Sequence, residues 1–390
     1  VSWKYTAVLN LGFRPFFALA AGYAVLATAG WLGAFLLGLE WPGGNMPAMT
    51  WHAHEMIFGY AMAVVAGFLL TAARNWTGVQ TLRGTPLLLL VCCWLAARIL
   101  LAMGDSVPLF WAAIADCLFN TLLLVAVACP VVRVRQYRQI GILSKLALLL
   151  LANLLFYAGM LDLFPQGTRA GLYTGIYMIM ALILVMARRV LPFFIEKGLD
   201  VSAVKNRTWL DIASLVLFLV FWIMDIWQPD SAPVAALAGL LCLLHGVRLA
   251  GWYRPGLMRV PMLWVLFLAY AALVAGFALK AAVSLSGLSP MLALHAFTFG
   301  GIGLFTLGMM VRVTLGHTGR NIQEPPATVT VMFALLATGA LVRVLLPWLD
   351  PLHYTFWIAL AGSLWILPFG MYLASFLPML LRPRIDGLPG

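Results

Sequence analysis

Apolar residues in this chain come in continuous runs of about twenty, broken by short polar stretches. They do not alternate every second position, and they are not confined to one helical face. The runs predict twelve helices, at roughly 15–39, 51–73, 85–103, 108–132, 143–164, 170–190, 208–228, 232–253, 261–284, 290–314, 327–348 and 352–380. A bilayer core of ~30 Å needs ~20 predominantly apolar residues per helix. Water is absent at that depth, so each segment must satisfy its own backbone, as a helix or a closed barrel does. Continuous runs select helices. The expected fold is an all-α polytopic membrane protein with about 12 transmembrane helices in a single domain, 1–390. The first run, beginning near Phe16, is followed at once by further spans, so it reads as a retained helix rather than a removed signal peptide.

Composition supports this picture and removes alternatives. Only 9% of the 390 residues are charged, against ~25% in ordinary soluble domains, which excludes a water-soluble enzyme. Cys92, Cys93, Cys117, Cys129 and Cys242 all sit inside apolar runs without a CxxC pair, and read as small packing residues. CxxCH is also absent, so any haem would be held without thioether links.

The net charge of +11 raises nucleic acid as a partner, and its placement argues against one. With both termini cytoplasmic, the cytoplasmic segments collect Lys4, Arg14, Arg74, Arg83, Arg133, Arg188, Lys205, Arg248, Arg254, Arg320 and Arg382, among others. The opposite loops hold Glu40, Asp105, Asp162, Asp230 and Asp350, with Arg169 as their basic residue. That asymmetry is what the positive-inside rule predicts for an inner-membrane protein, with acidic headgroups of the lipid bilayer as its counter-charge. No loop is long enough for a soluble domain, so function is expected inside the helix bundle.

Charged side chains at membrane depth cost several kcal/mol and are functional candidates. Glu55, Arg98, Asp116, Asp225, Lys280 and Arg343 fall within the outer third of their spans. His52, His54 and His295 lie at the same level, and His353 begins the last helix there; His245 and His317 fall toward the cytoplasmic side. Two readings are open for this layer: interfacial salt bridging, or a metal or haem site with acids and bases around it.

The densest cluster is Trp51-His52-Ala53-His54-Glu55-Met56. At about 100° per helical residue, His52 and His54 point some 200° apart, so a regular helix cannot aim both at one iron. On such a helix His52 shares a face with Glu55, and His54 with Phe58. One histidine can then serve an axial site while the other serves a second metal, an acid partner or a propionate. The cluster also takes part in an internal echo. His54, Phe58, Gly59, Gly67, Thr77 and Gly78 recur as His295, Phe299, Gly300, Gly308, Thr318 and Gly319, all at an offset of 241 residues. A weaker echo near Tyr173 to Arg189 suggests three four-helix units, with spans two, six and ten as counterparts.

Two histidines at one depth on parallel helices suit bis-histidine haem ligation by His54 and His295. Glycines on those helices would leave room for a porphyrin, or serve ordinary close packing. Arg98, Lys280 and Arg343 stand at the level of haem propionates, or pair structurally with Asp116 or Asp225.

Asn10-Leu-Gly-Phe-Arg-Pro-Phe-Phe17, Trp51-His-Ala-His-Glu-Met56, Asn75-Trp-Thr-Gly78 and Gly316-His-Thr-Gly-Arg320 together resemble the NnrS family. The resemblance implies a twelve-span bacterial inner-membrane protein with haem and copper, linked to nitric oxide metabolism in denitrifying bacteria. The layout also resembles the catalytic subunit of haem-copper oxidases, whose axial histidines lie on spans two and ten. It departs from them at spans six and seven, where no histidine stands, so their three-histidine copper site is not visible. Copper would have to use His52, His353 or a methionine.

On this reading His54 and His295 hold haem b, while His52 and Glu55 serve a second metal or protons, with Glu55 as the acid–base residue. Open coordination is needed for chemistry on nitric oxide, whereas two tight axial histidines imply electron transfer, so one of these roles must give way. A proton-coupled transporter with a His/Glu relay and no haem is the alternative, and a membrane scaffold a third. The cluster Arg14, Arg74, Asn75, Trp76, His317 and Arg320 marks either helix capping or a second ligand site.

Overall fold

A computed structural model of the protein describes residues 7–39, 44, 46–202, 204, 207–286 and 288–388. Lys4, Glu40 and Lys205, which entered the loop charges above, lie outside the described residues. Twelve helices are long and apolar enough to cross a membrane. They are α1 (Phe13–Leu37), α2 (Ala48–Thr77), α3 (Thr85–Ala102), α4 (Leu109–Arg133), α5 (Tyr137–Met160) and α6 (Gly167–Leu199). The second six are α7 (Thr208–Trp227), α8 (Ala232–Trp252), α9 (Pro261–Val283), α10 (Pro290–His317), α11 (Thr328–Leu349) and α12 (Pro351–Leu381). Helices and turns account for all the described secondary structure, and the chain is a multi-pass membrane protein.

Helix α4 shows why a membrane is required. Asp116, Phe119, Asn120, Leu123 and Val127 are buried on one face, while Leu118, Leu122 and Val125 are exposed on the other. A water-facing helix would carry polar residues on that outer face; here it is apolar.

The helices overrun the apolar runs where polar residues take over. Helix α6 continues through Pro192 to Leu199, past Glu196 and Lys197, because a helix leaving the bilayer no longer needs apolar side chains. Helix α1 starts at Phe13, so Arg14 sits on its first turn rather than in the preceding segment. The Phe13 N–H, an orphan donor of that turn, donates to Thr71 Oγ1 on α2 at 3.2 Å.

Part of the internal echo is a helix stop. Thr77 and Thr318 each donate their hydroxyl four residues back, to Ala73 and Thr314, at 2.7 Å. Gly78 and Gly319 follow at φ +69° and +79°, the left-handed conformation that ends a helix and that glycine adopts without strain. The rest of the echo is less ordinary. Glu55–Ala61 in α2 and Ala296–Gly303 in α10 are π-helical, each beginning directly after the repeated histidine. Helix α6, the suggested third counterpart, runs without such an interruption.

The chain falls into two compact units. The first runs through Ile179 and adds Met310–Ile322 and the chain from Phe369 onward; the second holds Met180–Met309 and Gln323–Pro368. In the first, α1 packs along α2, α2 against α4, and α4 between α3 and α5. In the second, α8 packs against α7 and α9, while α9 and α11 both pack on the π-helical part of α10.

Candidate functional site

The π-helical turn of α2 is the centre of a fully buried ionic network in the first unit. His54 Nδ1 lies 2.8 Å from Glu55 Oε1, and the same oxygen accepts from Arg98 Nη1 of α3 at 2.8 Å. Arg98 Nη2 stands 2.7 Å from Asp116 Oδ2 of α4, which also accepts from Tyr157 OH of α5 at 3.1 Å. His54 Nε2 faces Asn153 Oδ1 at 3.1 Å and Asp116 Oδ2 at 3.4 Å. Tyr23 of α1 donates to Glu55 Oε2. Phe58, Phe156 and Tyr157 close around the imidazole, with ring centroids 5.0, 4.3 and 5.3 Å away.

The local backbone makes this possible. An i→i+5 turn breaks the regular i→i+4 ladder and changes where carbonyls point. The Gly59 carbonyl accepts from the Trp94 indole at 3.1 Å. A Cβ on Gly59 would come within 2.5 Å of Tyr23 Cε1 and 2.9 Å of Arg98 Nη1, so the glycine is what lets both side chains reach Glu55.

Both nitrogens of His54 face protein groups, Glu55 on one side and Asn153 with Asp116 on the other.

This arrangement alters several sequence expectations. His54 shares a face with Phe58, as expected, and Glu55 pairs with His54 and Arg98. His52 stacks on Trp31 at 4.5 Å. With both ring nitrogens taken by protein groups and aromatic rings packed around it, His54 does not fit the role of an axial haem ligand. Arg98 pairs with Glu55 and Asp116, the structural alternative to a propionate contact. Glu55 is fully buried and tied by His54, Arg98 and Tyr23. The glycines serve close packing: a Cβ on Gly67 would meet Phe16 and Phe17, and one on Gly303 would meet Trp365.

The second unit places the remaining candidates. His295 Nδ1 donates to the Met291 carbonyl at 2.9 Å, which puts the basic lone pair on Nε2. That is the way metal- and haem-ligating histidines are commonly oriented, and His295 fits the donor role. Lys280 pairs with Asp225 at 2.6 Å and donates to the Pro229 carbonyl at 3.0 Å, while Arg343 is hydrogen-bonded to Tyr354. His353 lies exposed beside Asp350 at 2.8 Å, and its hydrogen bond lowers the Asp350 pKa. No group of three histidine, cysteine, aspartate or glutamate side chains suited to a metal assembles among the described residues.

One cluster in this unit went unread in the sequence. Arg248 on α8 binds Asp211 Oδ1 (2.9 Å), Ser214 Oγ (3.0 Å) and the Leu210 carbonyl (3.2 Å) of α7, together with Tyr270 OH (3.1 Å) of α9. His245 joins through Nδ1, 2.6 Å from Tyr270 OH. Arg248, counted above with the cytoplasmic charges, lies inside α8, and an arginine within a span was the available signal.

A family model described as NnrS protein matches residues 7–384, essentially the whole chain. The chain belongs to the NnrS family. No curated protein matches it. The motifs that carry the family resemblance can now be placed. In the NnrS chain, Arg14 caps the end of α12, donating through Nη1 to the carbonyls of Met379 (3.2 Å), Leu380 (2.9 Å) and Arg382 (2.7 Å). Trp51 to Met56 enters the π-helical centre, and the two Thr-Gly pairs close α2 and α10.

Proposed function

We propose that this NnrS protein acts in the bacterial inner membrane on nitric oxide or a related reactive nitrogen species. Both termini are cytoplasmic, and haem b is held through His295. The observation that carries the reading is the pair of π-helical turns, each directly after one of the two repeated histidines. Such turns are rare and gather at functional sites. Family membership supports the nitric oxide role, and the anchored Nδ1 of His295 supports the ligand role.

His54 is the histidine that gives way. Its nitrogens are committed to Glu55, Asn153 and Asp116, so of the two repeated histidines His295 would hold the haem. Bound haem would supply the iron to which nitric oxide binds. The residues of this chain then divide the work. His295 holds its tautomer through Met291, and the His54 centre ties α2 to α3, α4 and α5. Copper is proposed only as a second metal.

Haem measured as the pyridine haemochrome in purified protein tests this. The His295→Ala variant should lose its haem, and His54→Ala should keep most of it. Full haem in His295→Ala would refute the assignment.

The bridge from Glu55 through His54 to Asp116 favours one second reading, a proton-coupled transporter with a His/Glu relay. A colourless protein from haem-replete cells would put that reading first.

A further inference from the structure

The end of the first unit where α1 begins and α2, α10 and α12 finish carries chemistry that the nitric oxide reading does not use. Arg14 is completely buried there. Its Nη1 is spent on the carbonyls of Met379 and Leu380 in α12 and of Arg382 just beyond it, but Nε and Nη2 are buried without a partner. Those two N–H groups form one edge of the guanidinium fork, the edge that grips a carboxylate or phosphate with two parallel hydrogen bonds. Leaving two charged donors unmatched in the interior costs several kcal/mol, so an acceptor belongs there.

The surroundings select its charge. Arg384 and Arg320 are close enough to act electrostatically on Arg14, and Arg384, Arg74 and Arg14 all act on His317. The carboxylate that the structure sets against this group is Asp386, which is spent on Arg384 Nε (2.8 Å) and Nη2 (2.5 Å). A neutral acceptor such as water would satisfy the fork but leave the excess positive charge. The segment after α12 lies across the site. Arg384 Nη1 donates to the His317 carbonyl and the Ile385 N–H to the Thr318 carbonyl, both at 3.3 Å. Gly319 lets the segment lie close, since a Cβ there would come within 2.8 Å of the Asp386 carboxylate.

We infer that this end of the unit is an oxyanion site for a phosphate group, gripped by Arg14, surrounded by Arg74, Arg320 and Arg384, and covered by residues 382–388. A lipid headgroup and free phosphate share that chemistry. The site stands independently of haem, and so does its test.

The full-length protein, delipidated in a neutral maltoside detergent, is unfolded thermally under two comparisons. One sets inorganic phosphate against chloride at equal ionic strength. The other sets micelles doped with phosphatidylglycerol against phosphatidylcholine. Stabilisation by phosphate alone identifies a soluble ligand, and stabilisation by phosphatidylglycerol only identifies a lipid. Either supports the site.

The Arg14→Lys variant, which keeps the charge and loses the fork, should abolish the effect. Should it fail to fold, Arg320→Gln carries the test. It should need about fivefold more ligand for half the stabilisation, the factor matching the ~1 kcal/mol of one basic residue near an anionic surface. No shift beyond the chloride and phosphatidylcholine controls would overturn the site. An Arg320→Gln curve that overlays the wild type would do the same, and the Arg14 edge would then hold water.

Discussion

Replacing Arg98 by methionine is the sharpest test of the buried centre. The guanidinium is 4% exposed and both carboxylates are fully buried, with contacts of 2.8 Å to Glu55 and 2.7 Å to Asp116. At an effective dielectric of ~20, each contact represents about 6 kcal/mol of gross attraction, most of it offset by the desolvation of the charges. Removing one partner of a buried pair while leaving the other costs ~3–5 kcal/mol. Two carboxylates lose their shared cation here, so Arg98→Met belongs at the upper end of that range. Against a net stability of ~5–15 kcal/mol, the loss is large.

Methionine has no charge and keeps most of the apolar stem, so the deficit is electrostatic. Adding Asp116→Asn should recover about half of it, because only one of the two carboxylates then lacks its cation. The assay is reversible unfolding in mixed micelles of increasing SDS fraction. Arg169→Met serves as the control. Arg169 lies 4.3 Å over the Tyr173 ring, and its loss should cost at most ~1 kcal/mol. The reasoning fails if Arg98→Met stays within ~1 kcal/mol of the wild type, or if the double variant is no more stable than the single one.

Other consequences can be checked separately. Gly59→Val should cost about 1–3 kcal/mol by overpacking and push Tyr23 and Arg98 off Glu55; a crystal or cryo-EM structure with their contacts unchanged would contradict this. At the C-terminal segment, hydrogen bonds from Arg384 lower the Asp386 pKa from the ordinary 3.8 to about 2. A depressed carboxylate stabilises the contact above its ordinary value and loses it as pH falls through the folded one. The segment should therefore stay closed at neutral pH and loosen as pH drops from 3.8 toward 2. Hydrogen exchange of residues 382–388, corrected for intrinsic rates, reads this, and Arg384→Gln should show the looser state throughout.

The sequence revealed the parts of this protein that depend on solvent and on single positions. Run length gave the twelve spans, because hydrocarbon tolerates nothing else. Depth marked Arg98, Asp116, Asp225 and Lys280, and the structure pairs Arg98 with Asp116 and Lys280 with Asp225. The 241-residue echo marked both histidines that precede π-helical turns. The turns themselves were not legible, because a π-helical insertion leaves no signature in the spacing of apolar residues.

The composition of the His54 centre was hidden for a different reason. Tyr23, Asn153 and Tyr157 come from α1 and α5, and their meeting with α2 depends on packing that one sequence does not encode in any local pattern. Arg248 was missed because its position near a span end made it look like a loop charge. Arg14 was read beside His317 and Arg320 with helix capping as one of two alternatives, but neither Arg384 nor the end of α12 entered that reading. Its unpartnered edge became visible only once the end of α12 had been placed.

The central claim is that haem on His295 leaves a position for nitric oxide while His54 serves the protein. Titrating the dithionite-reduced, purified protein anaerobically with nitric oxide, followed by absorption and electron paramagnetic resonance, tests it most directly. The account predicts about one nitric oxide taken up per haem, with the same stoichiometry in His54→Ala and none in the haem-free His295→Ala. A haem spectrum that nitric oxide leaves unchanged, with the two histidines equally necessary for haem, would mean that both ligate the iron and that the account is wrong.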